Sequence, residues 1–356
     1  MTVAYQADDV LTAAQHRMEQ VFDHFERIVV SVSAGKDSTV LRELALAEAD
    51  RRSRRVELFF LDQEAEYAST VELMDEWMRD PRIDPQWYQV PIRMTNATSH
   101  VEYWLYAWGP GEAWMREQHP LAIHQADDYP QRFYDFFEWY EQQATCPTAF
   151  LVGLRSKESF NRFRAVTRSP GYRDWAWTTR TRNPLGFRVY PIYDWTFGDV
   201  WKYIHDQHLP YNRHYDRMFA KHGINMSRMR VSNLIHEKSF RCLADLQEFE
   251  PETYDRLLRR LGGVHCAALY AHEEHILDAR RLPAAFGSWQ AYRDYLLRTT
   301  PIDRIERFRK RFAGQAVDDE TCRQQCKQIL INDWENSVPV VASKQERLRA
   351  RWWDVL

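Results

Sequence analysis

The chain of 356 residues is poor in most of what marks a specialised scaffold. Only 12 glycines and 15 prolines are present, which excludes collagenous, fibrous and low-complexity chains. The five cysteines, Cys146, Cys242, Cys266, Cys322 and Cys326, are odd in number and scattered. A disulfide framework is therefore not expected, and a reducing compartment is. No segment approaches the ~18 uninterrupted apolar residues of a membrane-spanning helix. The opening MTVAYQADDVLTAAQHRMEQ has neither a basic start followed by an apolar run nor an Arg/Ser-rich transit composition. These absences together lead to the expectation of a soluble cytoplasmic protein.

What is present is an ordinary globular composition, 44% hydrophobic and 28% charged, in a length that suits two domains. The formal charge of −3 conceals an uneven distribution. Between Glu112 and Glu141 seven acidic residues face Arg116 and Arg132. Between Arg155 and Arg188 nine basic residues face Glu158 and Asp174, and between Arg213 and Arg241 seven face Asp216 and Glu237. A basic middle within a nearly neutral molecule suits an anionic ligand in a cleft better than indiscriminate DNA coating.

The first half alternates strand and helix signals. Helical spacing over Asp9–Phe25 precedes a β-branched run at Ile28–Val32, and helical spacing resumes over Ser38–Glu48. Strands are expected at Val56–Leu61, Trp87–Ile92 and Ala149–Leu154, with a helix near Tyr67–Met78. Strands spaced by helices imply a doubly wound, parallel α/β sheet covered on both faces. An aromatic-rich insert at about 100–145 has a helical pattern. Thr196 with Asp199 at the third helical position predicts a capped helix over 196–208. The expected division is an α/β domain over 1–209 and a helical C-terminal domain over 210–356.

The most informative string is SVSAGKDST, Ser31 to Thr39, between a buried strand and a helix. Small residues at Ser33, Ala34 and Gly35 let backbone N–H groups approach an anion, and the positive end of the following helix faces the same place. Lys36 adds a full charge, and Ser33 and Ser38 add hydroxyl donors. The chemistry is phosphate binding. It is not the Walker A pattern, which needs Gly where Val30 stands and Ser or Thr where Asp37 stands.

SVSAGKDST resembles the S-x-G-G-K-D-S pyrophosphate loop (PP-loop) of the adenine nucleotide α-hydrolases and, within them, of the phosphoadenylylsulfate (PAPS) reductase family. Three further segments resemble that family in order: LFFLDQEAEYAST, FLVGLRSKESFNR and VYPIYDWTFGDVWKYIHDQHLPYN. The layout is also similar to IbrA-like proteins and to the DndC/SspD-like proteins of DNA phosphorothioation. The resemblance implies the α/β fold of the adenine nucleotide α-hydrolases and cleavage of ATP to AMP and pyrophosphate with Mg²⁺. The substrate activated would serve sulfur transfer, with DNA as acceptor and a cysteine desulfurase as sulfur donor. Carried onto this chain, Ser31, Ser33, Ala34, Gly35, Lys36, Asp37 and Ser38 would cradle the phosphates, and Asp62 would lie near the nucleotide. Lys36, Asp37 and Arg155 would carry the chemistry, with Arg155 clamping phosphate or acceptor. No metal ligand is assigned.

The chain departs from the family in three places. Ala34 replaces the loop's second glycine, Gln63-Glu64 replace the usual Thr-Gly after Asp62, and no Glu-Cys-Gly-Leu-His-type segment is found. A PAPS reductase-type enzyme, or a nucleotide-binding regulator without turnover, is therefore the alternative. Cys242, Cys266, Cys322 and Cys326 could hold a cluster but are read as buried structural thiols, and Cys146 is read the same way. His265, His272 and His275 lack the H-E-x-x-H spacing of a zinc site. The stretch RFRAVTRSPGYRDWAWTTRTRNPLGFR interleaves arginine with aromatics, a composition that either holds nucleic acid or lines a phosphate pocket.

Overall fold

The computed structural model describes residues 8–96, 104–167, 171–225, 229–231, 233–235, 242–262, 264, 281–299 and 302–330. Helix α1, Val10–His24, begins at an Asp9 cap whose side chain accepts from the Thr12 N–H. It is followed by β1 (Arg27–Ser31), α2 (Lys36–Arg51), β2 (Val56–Leu61), α3 (Ala68–Met78) and β3 (Ile83–Tyr88). A hairpin, β4 (Ile92–Thr95) with β5 (Trp104–Ala107), precedes α4 (Phe133–Gln142) and β6 (Thr148–Val152). Then come α5 (Phe160–Thr167), β7 (Thr178–Arg180), β8 (Gly186–Val189), α6 (Phe197–Asp206) and α7 (His214–His222). Helices α8 (Leu243–Phe249) and α9 (Pro251–Arg260) complete this unit.

The main sheet has six strands in the order β3-β2-β1-β6-β8-β7, parallel except for β7 against β8. Alternation sorts the side chains to the two faces. Ile28, Val30, Leu58, Phe60, Ala149 and Leu151 join a core with α1, α2, α3 and α6. Phe59 and Phe150 turn the other way, onto α4, where the Phe59 and Tyr140 rings lie 4.3 Å apart. There Arg27 makes a bidentate pair with Glu57, both contacts at 2.6 Å, and Tyr140 donates to the same carboxylate. The expected α/β sheet is what the chain forms.

Particular boundaries differ for physical reasons. The third strand runs from Ile83, not Trp87, and includes Pro85. Proline lacks the ladder N–H and is tolerated because β3 is an edge strand paired only with β2. Among the described residues the insert is largely not helical: β5 and a run of turns occupy most of it, and only α4 is helix, because Gly109-Pro110-Gly111, Pro120 and Pro130 interrupt the periodicity. The Thr196/Asp199 capping box forms as expected. Residues 1–95 and 104–262 cluster as one compact unit and 96–103 with 263–356 as another. The division expected after residue 209 thus falls inside the first unit. Here Glu250, next to α9, accepts from the Ala68 N–H at 2.8 Å and from Ser69 at the start of α3.

In the second unit, Ile305, Phe308 and Phe312 form the buried stripe of the helix Ile302–Phe312, and the latter two pack on Ile329. Cys322 and Cys326 are buried against Trp289. No helix among the described residues is long and apolar enough to cross a membrane.

His214, at the first turn of α7, is 1% exposed with its ring 3.9 Å from that of Tyr67. Neither of its ring nitrogens has a hydrogen-bond partner among the described residues. Burial, helped by Arg217, pushes its pKa down to about 4. A histidine held neutral contributes stability that is complete above the unfolded pKa of ~6.5 and is lost as pH falls towards 4. His214→Phe removes this acid sensitivity, so the variant should gain about 2 kcal/mol more at pH 5 than at pH 8. Urea unfolding at both pH values measures it, and an equal change at both would contradict the assignment.

Candidate functional site

β1 ends at Ser31, and the chain turns through Val32–Gly35 into α2 at the carboxyl edge of the sheet. Ala34 takes the turn at φ 53, a left-handed conformation that costs an L-residue about 1 kcal/mol. Gly35 is the N-cap and supplies no side-chain cap. A Cβ there would lie 3.3 Å from Ser33 Oγ and 3.5 Å from the Tyr215 hydroxyl, so the glycine reflects crowding. The Ser38 hydroxyl donates to the Gly35 carbonyl at 2.8 Å and accepts from the Ser33 N–H at 3.3 Å. The Lys36 N–H donates to the buried Tyr215 hydroxyl at 3.1 Å. The loop is thus fixed from both sides, with the positive end of a 16-residue helix behind it.

The charges converge on Asp37. Lys36 Nζ lies 2.9 Å from Asp37 Oδ2, and Arg155 Nε lies 2.5 Å from Asp37 Oδ1. Both cations are almost wholly buried, and Arg155 also reaches Glu158 at 3.3 Å. Arg155 gets there because β6 runs tight against the first turn of α2. A Cβ on Gly153 would sit 3.2 Å from the Asp37 backbone, so only glycine lets the strand end approach that closely. Asp37 holds the two cations as an external anion would, and an incoming phosphate would compete with it for both. The sequence-predicted residues Ser33, Ala34, Gly35, Lys36, Asp37, Ser38 and Arg155 therefore lie together, with Ser31 at the strand end.

Asp62 is not part of that cluster. It has no exposure, and its carboxylate accepts from Trp87 Nε1 (2.9 Å), Gln89 Nε2 (2.8 Å), the Glu64 N–H (2.9 Å) and Arg116 Nη2 (2.5 Å). Its bonding capacity is spent inside the protein. Glu64, standing where the family has glycine, keeps a glycine-like φ of 67. Its buried carboxylate holds that turn by accepting from the Trp108 and Met115 N–H groups and from Arg260 Nε at 2.8 Å. Arg116, Arg260 and Tyr215 escape sequence reasoning because their partners lie 54, 196 and 179 residues away, with no local spacing to betray them.

The remaining expectations resolve as follows. Trp175 stacks on Trp177 at 4.6 Å, and Tyr172 packs on Phe25 and Phe187, so these aromatics are packing residues. Arg173, Arg180 and Arg182 stay exposed. Burial raises the pKa of Cys322 and pushes that of Cys326 up to about 12, which keeps both as thiols. Among the described residues no three metal-ligating side chains come together. Cys266, His265, His272 and His275 lie outside the described residues.

A parallel α/β sheet carrying a phosphate-type loop after its first strand defines a nucleotide-binding class of protein. The model of the phosphoadenosine phosphosulfate reductase domain matches residues 27–269, about two thirds of the chain, and the chain belongs to that family. A domain of unknown function, DUF3440, matches residues 223–319. The chain is 27% identical to the uncharacterized protein YbdN of Escherichia coli, over 92% of this chain and 89% of that one. It is 21% identical to an adenosine 5′-phosphosulfate reductase of Oceanobacillus iheyensis, over 61% of this chain and 78% of the reductase. Among solved structures, Candida glabrata FMN adenylyltransferase in complex with FMN and an ATP analog aligns with TM-score 0.39 at 14% identity, covering 65% and 68% of the two chains. PAPS reductase from Candida auris, a phosphate complex, aligns with TM-score 0.35 at 15% identity, covering 61% and 94%.

The bonding of Asp62 yields a stability prediction. Asp62→Asn leaves Arg116 without its counter-charge and turns an NH₂ group towards donors, so the variant should lose about 3 kcal/mol. Denaturant unfolding measures this. A variant of unchanged stability would show that the carboxylate is not the structural hub described.

Proposed function

We propose that this protein cleaves ATP between the α and β phosphates at the Lys36–Asp37–Arg155 cluster and so activates an acceptor for sulfur transfer. The observation that carries this reading is two nearly buried cations meeting one carboxylate at the positive end of α2. Charge builds on the leaving pyrophosphate as the α–β bridging bond breaks. Lys36, Arg155 and the first-turn amides of α2 are placed to neutralise it. Asp37 would release the cations to the phosphates as the nucleotide enters.

The residues present suit a nucleotide brought in with its metal. Asp37 is the carboxylate beside the loop, and both its oxygens are engaged by cations. Mg²⁺ would accordingly be held mainly by the phosphates, where it supplies further charge neutralisation.

The acceptor's oxygen would attack the α-phosphorus and expel pyrophosphate, the outer sulfur of a persulfide would then displace AMP, and an external thiol would cleave the resulting S–S bond, leaving the thiolated acceptor and a disulfide. A cysteine desulfurase persulfide fits the donor role; Cys322 and Cys326, buried and held protonated, are poorly suited to relay the sulfur themselves. A DNA phosphate is the acceptor that the IbrA-like and DndC/SspD-like resemblance suggests. The exposed Arg173, Arg180 and Arg182 support contact with such a backbone. The second reading, a sulfonucleotide reductase, draws its support from the family itself and from its adenosine 5′-phosphosulfate reductase members.

Pyrophosphate release from ATP and Mg²⁺ decides between them. Wild type should release pyrophosphate, DNA should stimulate it, and Lys36→Ala should lower it at least ~100-fold. Sulfite release from a sulfonucleotide and a thiol reductant, with no pyrophosphate from ATP, would establish the reductase instead. Binding of ATP with neither product would indicate a regulator.

A further inference from the structure

Tyr215 brings to the phosphate loop a hydrogen-bond donor that the protein itself does not use. The residue sits in the first turn of α7 and is 2% exposed. Its ring packs with Met218 and Met229 and stands edge to face with that of Trp201, 5.1 Å away. Asn212 ties the start of the helix to α3: its Oδ1 accepts from the His214 N–H and its Nδ2 donates to Thr70 Oγ1, both at 2.9 Å. The hydroxyl therefore has a fixed position.

That position is against the loop. A Cβ on Gly35 would lie 3.5 Å from the oxygen, which accepts from the Lys36 N–H at 3.1 Å. The Val231 amide faces the same oxygen. A phenol has lone pairs to accept with and one proton to donate. With amides on its acceptor side the proton points elsewhere, and among the described residues it meets no acceptor. Burial, with the charges of Asp37 and Glu158 in support, holds the pKa well above the ordinary tyrosine value, so the proton stays in place. A buried donor left unpaired costs free energy comparable to a lost hydrogen bond. The neighbouring Lys36 side chain and the positive end of α2 draw in an anion, which is the acceptor this proton lacks.

We propose that Tyr215 is a ligand-binding residue of the phosphate loop, donating its hydroxyl proton to an oxygen of the nucleotide's pyrophosphate group while it orders the Lys36 amide. This rests on the nucleotide reading of the loop and adds to it a contact from a residue 179 positions further along the chain.

Calorimetric titration of the whole chain with pyrophosphate, ATP and adenosine, on wild type and Tyr215→Phe, tests it. The phenylalanine keeps the ring and its packing and removes only the hydroxyl. A bond to a charged acceptor is worth about tenfold or more in affinity, so pyrophosphate and ATP should both weaken by that factor. Adenosine should be unaffected. Hydrogen exchange separates donation from mere support of the loop. The Ser33 and Thr39 amides, bonded to Ser38 Oγ and to the Gly35 carbonyl, report loop order without touching Tyr215. Their protection should be the same in both proteins. Unchanged or tighter pyrophosphate binding in the variant would overturn the proposal and leave the nucleotide reading intact. Weaker binding accompanied by faster exchange at Ser33 and Thr39 would overturn it too, reducing Tyr215 to a support. Wild type that binds neither ATP nor pyrophosphate would remove the nucleotide reading itself, and this contact with it.

Discussion

A single carboxylate with no access to water, that of Asp62, organises the carboxyl edge of the sheet. Burying such a charge costs several kcal/mol unless it is paired and hydrogen-bonded. Here the partners come from four places: Trp87 on β3, Gln89 just after it, the Glu64 amide on its own turn, and Arg116 on the insert. Trp108, also on the insert, donates to the Asp62 carbonyl at 2.8 Å. The end of β2 is therefore stable only with the insert in place, and strand and insert are one cooperative structure. The turn that follows is fixed by the same bonds.

Much of the fold was legible because it is written locally. The boundaries of β2, the Thr196 capping box and the passage from β1 into α2 depend on neighbours within a few residues. The phosphate loop was legible for the same reason: its small residues, lysine and hydroxyls are consecutive. Arg155 was readable only through the family segment that contains it, and its distance to Asp37 emerged from the parallel pairing of β1 with β6. Asp62 stands at the end of β2 as expected, but a strand-end aspartate has the same sequence whether it faces a ligand or a buried arginine. Nothing near Arg116 marks it as the partner. Pro85 misled because a breaker in sequence is tolerated where its strand lies at an edge, and the insert misled because its prolines and glycines break a helical pattern that its aromatics suggest.

The two turns at the carboxyl edge share a further property. Ala34 after β1 and Glu64 after β2 both adopt positive φ, and neither is glycine. Left-handed backbone at such residues costs roughly 1–3 kcal/mol and persists only where surroundings over-determine it. At Glu64 the over-determination is visible, since its own carboxylate binds the insert's amides and Arg260. A glycine there would relieve the strain but would discard the anchor. The family's glycine has thus been exchanged for a residue that keeps the conformation and adds a tether.

At Ala34 the surroundings are the Ser33–Ser38–Gly35 hydrogen bonds and the Tyr215 hydroxyl on the Lys36 amide. Tyr215 belongs to α7, so this helix acts directly on the loop's conformation even though the sequence groups it with the C-terminal portion. That contact explains why the first compact unit runs on past residue 209. A phosphate loop built from strained backbone needs a rigid support, and the tyrosine supplies it from a segment distant in sequence. The same reasoning bears on Asp37. It fills the charge requirement of Lys36 and Arg155 before any ligand arrives, so the cations are held in position rather than left to solvent. A nucleotide then replaces one counter-anion by another and does not have to assemble the site, which is the condition under which electrostatic preorganisation is effective.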